Sequence, residues 1–480
     1  MRAVPVSVIR EMESSACGFD LMLRAGRKIA GFIDSISANF RRVVFVCGSG
    51  NNAGDAFCAA AQIKLPHIIY SVSNYALYGG DASKALHKYR QKLVLAPEHL
   101  LQKEFLQPGD LIVDALLGIG FDGGNLRKGM AEWVKIINAS HLPVISIDIP
   151  SGISGDSGKV SPDGAIKAVW TLACGLPRQG LFTGDAPEYR GILFPLDIGL
   201  PEYTGKAGFN VYTRSDAVLD LPRCSESVHK KSRGVTAVFA GSRKYPGAAA
   251  LTTVSALRAG AGMVRLFSET RPQGLPDAAI FSEVCGGIAG IIESLSDTGT
   301  VVAGPGWGEN TPPEYLKDVL AFGGRLVLDA DALNLAARHP GLWHKRADLI
   351  LTPHPGEARR LADGFGLELT ENKISNALEL AKRLHCVVIL KGRDSVVASF
   401  DGRYSINTSG NYKLATAGSG DVLSGILGGV FHQFADAFEA ACFGAYLHGA
   451  CGESLPGFPL ADDISNNIPA VWQELDFNCF

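Results

Sequence analysis

No two of the ten cysteines form a CxxC pair, and none joins a histidine at zinc spacing. Neither a structural zinc module nor a dithiol redox centre is therefore encoded. Scattered thiols of this kind are expected to be buried and reduced, in a cytoplasmic protein. Basic residues do not outnumber acidic ones; the formal net charge is −3, without the surplus of a general nucleic-acid binder. The segment MRAVPVSVIREME holds no long apolar core and is not expected to act as a secretory signal. The apolar stretch Gly425–Gly452 is broken by His432, Asp436, Glu439 and His448. It reads as buried or amphipathic helices, not a membrane span.

What is present is glycine, 56 residues of it, clustered at the ends of apolar segments in a chain of 480 residues. That length predicts two or three domains. RRVVFVCG (Arg41–Gly48), DLIVDALLG (Asp110–Gly118) and LPVISIDIP (Leu142–Pro150) are short β-branched runs ending in turn residues, as buried parallel strands do. A polar region from Asp197 to Lys231 interrupts the alternation, and a domain boundary is expected near Asp216–Arg223. Beyond it the pattern restarts with GVTAVFAGS, TVVAGPGWG, GGRLVLDADALN, ADLILTPHPGE and HCVVILKG. The chain therefore reads as α/β with domains 1–215 and 223–480. Ligands in such sheets bind at the carboxyl ends of the strands.

Three strand ends in the first half carry polar groups. In VFVCGSGNNAGD, Gly48 and Gly50 allow close backbone approach, and the helix that follows offers free amides to a phosphate. This loop lacks the Lys-Ser/Thr of a P-loop, so by itself it is weak evidence, and a tight turn with an Asp N-cap is the alternative reading. Asp114 opens DALLGIG and Asp148 opens DIPSGISGDSG. Three such loops on one sheet edge point to a site. Asn52, Asp114 and Ser151 supply oxygens suited to a hard cation.

GSGNNAGD, DALLGIG and DIPSGISGDSG, with FDLMLRAG upstream, resemble the motifs of the NAD(P)H-hydrate epimerase domain. The resemblance implies a Rossmann-like three-layer domain. It implies that Asn51, Asn52, Ala53, Gly54 and Asp55 line the dinucleotide pocket with Gly118, Ile119, Gly120, Phe121, Asp122, Gly123 and Gly124. By the same resemblance Asn52, Asp114 and Ser151 bind potassium, and Asp148 acts on the damaged nicotinamide ring. Ala53 and Ala56 stand where that family has glycine, and Arg178 where it usually has lysine.

In the second half, ATAGSGD brings Gly418, Ser419 and Gly420 to Asp421 at a helix start. Exposed amides there form an anion hole, and a carboxylate beside the phosphate can take the proton of an attacking hydroxyl. A plain N-cap is the alternative reading of Asp421. His354 lies between two prolines at a strand end, and Lys391–Gly392 closes another strand. A lysine there reaches phosphate as a point charge.

GSGD after a lysine-bearing strand resembles the ribokinase-like superfamily. With GSRKYPGAA, GPGWG, LDADALN, TPHPGE and LKG it is similar to the ADP- or ATP-dependent NAD(P)H-hydrate dehydratase. The departures are Lys231 and Tyr412. Together the two resemblances imply a fused nicotinamide repair enzyme, both lyase and isomerase. It would epimerise the R and S hydrates of NADH and NADPH and dehydrate the S form, converting ADP to AMP and phosphate. Ala248, Gly306, His354 and Asp421 would contact the hydrate. Lys391, Gly392, Gly418, Ser419 and Gly420 would hold the nucleotide. Asp148 and Asp421 would be catalytic, and the expected cofactors are K⁺, Mg²⁺ and ADP or ATP. The partners are small molecules, with neither nucleic acid nor membrane, and a homo-oligomer is expected. Two other readings stay open: a ribokinase-like small-molecule kinase fused to a non-catalytic nucleotide-binding domain, and a sensor that binds without turnover.

Overall fold

The computed structural model describes residues 1–72, 78–95, 103–222 and 233–476. It divides into two compact units, Arg2–Phe209 and Asn210–Phe480, the latter joined by Met1. The parting point precedes the Asp216–Arg223 segment, because Asn210–Tyr212 pairs with a strand of the second unit. Lys231 and the rest of 223–232 lie outside the described residues.

The first unit holds one all-parallel sheet. Its strands are β1 (Arg42–Cys47), β2 (His67–Ser71), β3 (Asp110–Ala115), β4 (Val144–Ile147), β5 (Trp170–Cys174) and β6 (Ile192–Leu196), in the order β2-β1-β3-β4-β5-β6. Alternate residues of β1 feed two cores. Val43, Phe45 and Cys47 pack with helices Gly18–Ile36 and Asn51–Ala60, while Val44 and Val46 pack with helix Lys128–Ser140. Burial on both faces explains why the strands read as continuous apolar runs. The strand order reverses between β1 and β3, which opens a crevice at their carboxyl ends.

The second unit repeats the principle on a larger sheet. Its strands are β7 (Phe209–Tyr212), β8 (Val235–Phe239), β9 (Met263–Ser268), β10 (Ala279–Glu283), β11 (Thr300–Ala303), β12 (Arg325–Leu328), β13 (Leu349–Leu351), β14 (Val387–Leu390), β15 (Ser395–Ser399) and β16 (Tyr404–Asn407). The order is β7-β16-β15-β14-β13-β12-β11-β8-β9-β10. Strands β14 to β16 pair antiparallel and the rest parallel. Here the switch point lies between β8 and β11.

The small-residue helix Pro246–Arg258 packs against helix Ser419–Val430. A side chain at Gly425 would land on the Thr252 carbonyl, and one at Gly428 on Val302 of β11. Thr236 Oγ1 donates to the Gly428 carbonyl at 2.8 Å. Helix Ala437–Glu453 is also largely buried, and Asp436 caps it by accepting from the Glu439 amide at 2.9 Å. Among the described residues no helix is long and apolar enough to cross a membrane. Eight described cysteines are free thiols; Cys17 and Cys285 are exposed and the other six buried.

The seat of helix Ser419–Val430 gives a first prediction. Gly425→Ala must displace the backbone of the facing helix and is expected to cost about 1–3 kcal/mol. Calorimetry should show a lowered melting transition for the second unit. An unchanged midpoint would contradict the close seat.

Candidate functional sites

A cavity of about 810 Å³ opens at the switch point of the first unit. Asn51, Asn52, Asp55, Gly118–Phe121 and Asp148 all line it. Ala53 and Gly54 do not; they face the core behind, with Gly54 against Met22. The methyls of Ala53 and Ala56 are therefore absorbed by packing and leave the cavity unchanged. Asp122, Gly123 and Gly124 also lie outside the lining, in a turn where Asp122 Oδ1 accepts from the Gly124 amide at 3.0 Å.

Asp148 follows β4 in the left-handed region, φ 67°, which aspartate tolerates better than most residues. Its Oδ1 accepts from Arg178 Nη2 at 2.6 Å and from the Cys174 amide at 3.3 Å. Arg178 is fully buried, and it also donates to the Leu176 and Cys174 carbonyls. Burial pushes the Asp148 carboxyl upward and Arg178 opposes the shift. Asp55 is raised well above the usual carboxylate range by burial, then by Asp148 and Glu13. Glu13 is raised by burial too, with Arg178 opposing. Three carboxyl groups thus share the field of one guanidinium. Glu13 comes from the helix Val6–Ser14, where the sequence shows no motif.

Asp114 is completely buried and accepts four hydrogen bonds, from Ser146 Oγ, Ser151 Oγ, and the Ser151 and Leu116 amides. Asn52 Nδ2 donates to the Leu117 and Ile147 carbonyls at 2.7 and 3.2 Å, and the Leu117 amide donates to Ser151 Oγ at 2.9 Å. Asn52 Oδ1 is buried without a donor among the described residues. An unpaired buried oxygen beside a carbonyl and a hydroxyl is the environment a hard monovalent cation satisfies.

In the second unit, Lys391 at the end of β14 donates to Asp329 Oδ1 at 2.9 Å and lies 3.9 Å from Glu357 Oε2. Ser424 Oγ donates to Asp329 Oδ2 at 2.7 Å. The helix Ser419–Val430 begins from Gly418, whose φ of 88° admits few other residues. Asp421 occupies the third helical position, and no hydrogen bond to a described residue ties its carboxylate, so it is not the cap. A side chain on Gly420 would come within 3.4 Å of Lys391 Nζ and 3.6 Å of Asp329 Oδ2. Burial raises the Asp421 pKa to about 7, Asp329 adds to the shift and Lys391 opposes it.

The other predicted residues spread around this cluster. Ser419 is buried, its Oγ 3.1 Å from His448 Nε2. Gly392 leaves room for Lys373, whose Nζ would stand 3.2 Å from an added Cβ. Gly306 packs against Ala248 and Tyr245, where a Cβ would clash. His354 caps the helix Pro355–Phe365: its Nδ1 accepts from the Gly356 and Glu357 amides at 3.0 and 3.4 Å, and Glu357 bonds back to its amide. Its ring is half exposed. Asp329 and Glu357 lay inside quoted motifs, yet the sequence alone gave neither a task.

Residues 236–468 match the family described as NAD(P)H-hydrate dehydratase, and residues 18–180 match the YjeF-related protein N-terminus. The chain is 32% identical over 499 residues to the bifunctional NAD(P)H-hydrate repair enzyme Nnr of Moorella thermoacetica, covering 95% of this chain and 92% of the relative. It is 32% identical to the enzyme of the same name from Escherichia coli K12, covering 91% and 85%. A solved ribokinase-like superfamily protein from Enterococcus faecalis V583 superposes with a TM-score of 0.51 at 23% identity, covering 57% of this chain and 99% of that one. That likeness establishes a ribokinase-like fold for the second unit. With such identity sustained across nearly its whole length, the chain belongs to the family of bifunctional NAD(P)H-hydrate repair enzymes.

Proposed function

We propose that residues 1–215 interconvert the R and S hydrates of NADH and NADPH, and that residues 223–480 dehydrate the S form while ADP becomes AMP and phosphate. The observation that carries the second assignment is the Asp421 carboxyl. It lies in the first turn of a helix whose bare amino end adjoins an ammonium, and its pKa is brought to about 7.

The hydrate bears its hydroxyl on the carbon beside the ring nitrogen, and hydroxide is a poor leaving group. Asp421 takes the hydroxyl proton while that oxygen attacks the terminal phosphorus of ADP and AMP departs. Lys391 and the amides of Gly418–Gly420 hold the transferred group. Electron donation from the ring nitrogen then expels phosphate, and loss of the C5 proton restores the reduced ring. Among the described residues no three acidic, histidine or cysteine side chains converge as a metal cage. Magnesium would arrive with the nucleotide phosphates, with Glu357 as the carboxylate beside Lys391, and would neutralise phosphoryl charge.

For the epimerase, ring nitrogen donation expels the hydroxyl to give an iminium, and water returns to either face. Asp148, oriented by Arg178, stabilises the iminium and receives the proton of the returning water. Arg178 stays charged and cannot donate a proton as a lysine can. Asp55, which no cation pairs among the described residues, is the carboxyl suited to protonate the leaving hydroxyl. Potassium would be held by Asn52 and Ser151, with Asp114 fixing the serine hydroxyl, and would pin the three loops.

Asp421→Asn is expected to lower dehydration by about 10²–10⁴-fold without changing the melting midpoint. More than half of wild-type turnover would remove the catalytic role. A base must be ionised to act, so with a pKa near 7 in the free protein the wild-type kcat/KM should fall about tenfold per pH unit below neutrality and level off above it. A rate that stays flat down to pH 5 would contradict this. In the full chain, Asp148→Ala should leave S-hydrate turnover intact and slow R-hydrate consumption to its spontaneous rate. Following the absorbance of the restored ring for each epimer decides it; unchanged R consumption would refute the epimerase assignment.

A further inference from the structure

We propose that a second cavity, about 310 Å³ in the C-terminal unit, is the subsite for the adenosine end of the hydrated dinucleotide, remote from the reacting ring, with Ser268 and Glu269 binding its ribose hydroxyls. This rests on the dehydratase reading above and adds where the rest of that substrate is held.

The cavity lies at the switch point, where the loops after β8 and β11 part above the end of β9. Ser268, the last residue of β9, lines it, is only 2% exposed, and its Oγ has no hydrogen-bond partner among the described residues. Buried hydroxyls are nearly always paired, so an unpaired one in a cavity wall marks a missing ligand group. Gly241 keeps that hydroxyl clear: a Cβ there would stand 2.8 Å from it, and the φ of 79° disfavours any side chain. Glu269 is next along the chain. Its Oε2 accepts from the Arg243 amide at 3.0 Å. The arrangement of strand, glycine turn, helix and acidic residue at the next strand end is one that suits a ribose diol.

The walls suit a flat base. Trp307 Nε1 is spent on the Phe239 carbonyl at 2.8 Å and the Tyr315 hydroxyl on the Gly286 carbonyl at 2.6 Å, so both rings turn apolar surface to the space. They meet edge to face at 5.7 Å. The exposed side chains of Arg243 and Lys244 at the rim supply positive charge for the linking phosphates. The volume accommodates one nucleoside and not a whole dinucleotide.

The occupant must be distinguished from the adenosine of ADP. Ser268 on β9 and Lys391 beyond β14 are separated by five strand spacings in the sheet order, about 24 Å at 4.8 Å each. The donor's phosphate loops therefore lie far along the crevice from this cavity. The cavity rim instead meets the reaction centre through Asp331, whose Oδ2 accepts from the Gly308 amide at 2.7 Å and whose charge acts on Asp421.

Ser268→Ala removes a hydroxyl that bonds to none of the described residues, so the melting midpoint should hold. The KM for S-hydrated NADH should rise about three- to tenfold, the value of one lost hydrogen bond, with kcat and the KM for ADP unchanged. Glu269→Gln, which can still accept from the Arg243 amide, should act in the same direction. With hydrated nicotinamide mononucleotide, which lacks adenosine, the variants and the wild type should be indistinguishable. A rise in the KM for ADP would place the donor's adenosine in the cavity and overturn the proposal. An unchanged KM for the full hydrate, or an equal penalty on the truncated one, would also overturn it. Absence of wild-type turnover on either hydrate would overturn the dehydratase reading and this inference with it.

Discussion

The chemistry of the second unit depends on how closely one helix can approach its sheet. Helix Ser419–Val430 rests where Gly425 and Gly428 leave no side chain, against the Thr252 carbonyl and Val302. Two threonines fix its register, Thr236 to the Gly428 carbonyl and Thr252 Oγ1 to the Asp421 carbonyl at 3.2 Å. That register carries Ser424 to Asp329, and Asp329 holds Lys391 beside Gly420. Widening the gap by a methyl would therefore move the amides of Gly418–Gly420, the Lys391 ammonium and Asp421 together. The bare approach to Asp421 is the visible end of a constraint that runs down the whole helix.

The first unit fixes the carboxylate in its cavity by charge. A buried ion pair gains little net stability, because desolvation of both partners offsets most of their attraction. Arg178 and Asp148 are accordingly better understood as an orienting device. The guanidinium is anchored by two carbonyls, and its remaining bond holds a carboxylate on a backbone already set at positive φ. Asp114 does the same for the neighbouring loop: its four donors leave no freedom to the turn that carries Ser151.

The sheets were legible in the sequence because a strand buried on both faces is an unbroken apolar run, and each predicted run forms a strand with at least one parallel neighbour. The turns after them were legible because closely approached backbone demands glycine. Less legible were groups that converge from motif-free segments. Glu13 lies in a helix with no signature, and it reaches Asp55 and Asp148 only through the fold. Substitution also misleads when burial is unseen: Ala53 and Ala56 interrupt a motif, yet both point into the core. His354 shows the reverse case, a site-like residue whose ring nitrogen closes a helix end. The antiparallel strands Ser395–Ser399 and Tyr404–Asn407 escaped notice because they carry no chemistry and extend the sheet away from the switch point.

The two centres solve opposite electrostatic problems with similar parts. In the first, one permanent cation stands among three carboxyl groups, so protons can be redistributed between them without any group leaving. Such a balance suits a reaction in which a hydroxyl departs as water and water returns. In the second, Asp329, Asp331 and Glu357 gather with Asp421 near one ammonium, Lys391, and burial first, then Asp329 and Asp331, raises Asp421 toward neutrality. An anionic surplus would repel a bare phosphate, so the arriving nucleotide must bring its own counter-ion. A cation carried with the nucleotide would offset the carboxylates, and Asp421 would then ionise more readily with the donor bound. On this reading the excess of acid couples hydroxyl activation to the presence of the phosphoryl donor.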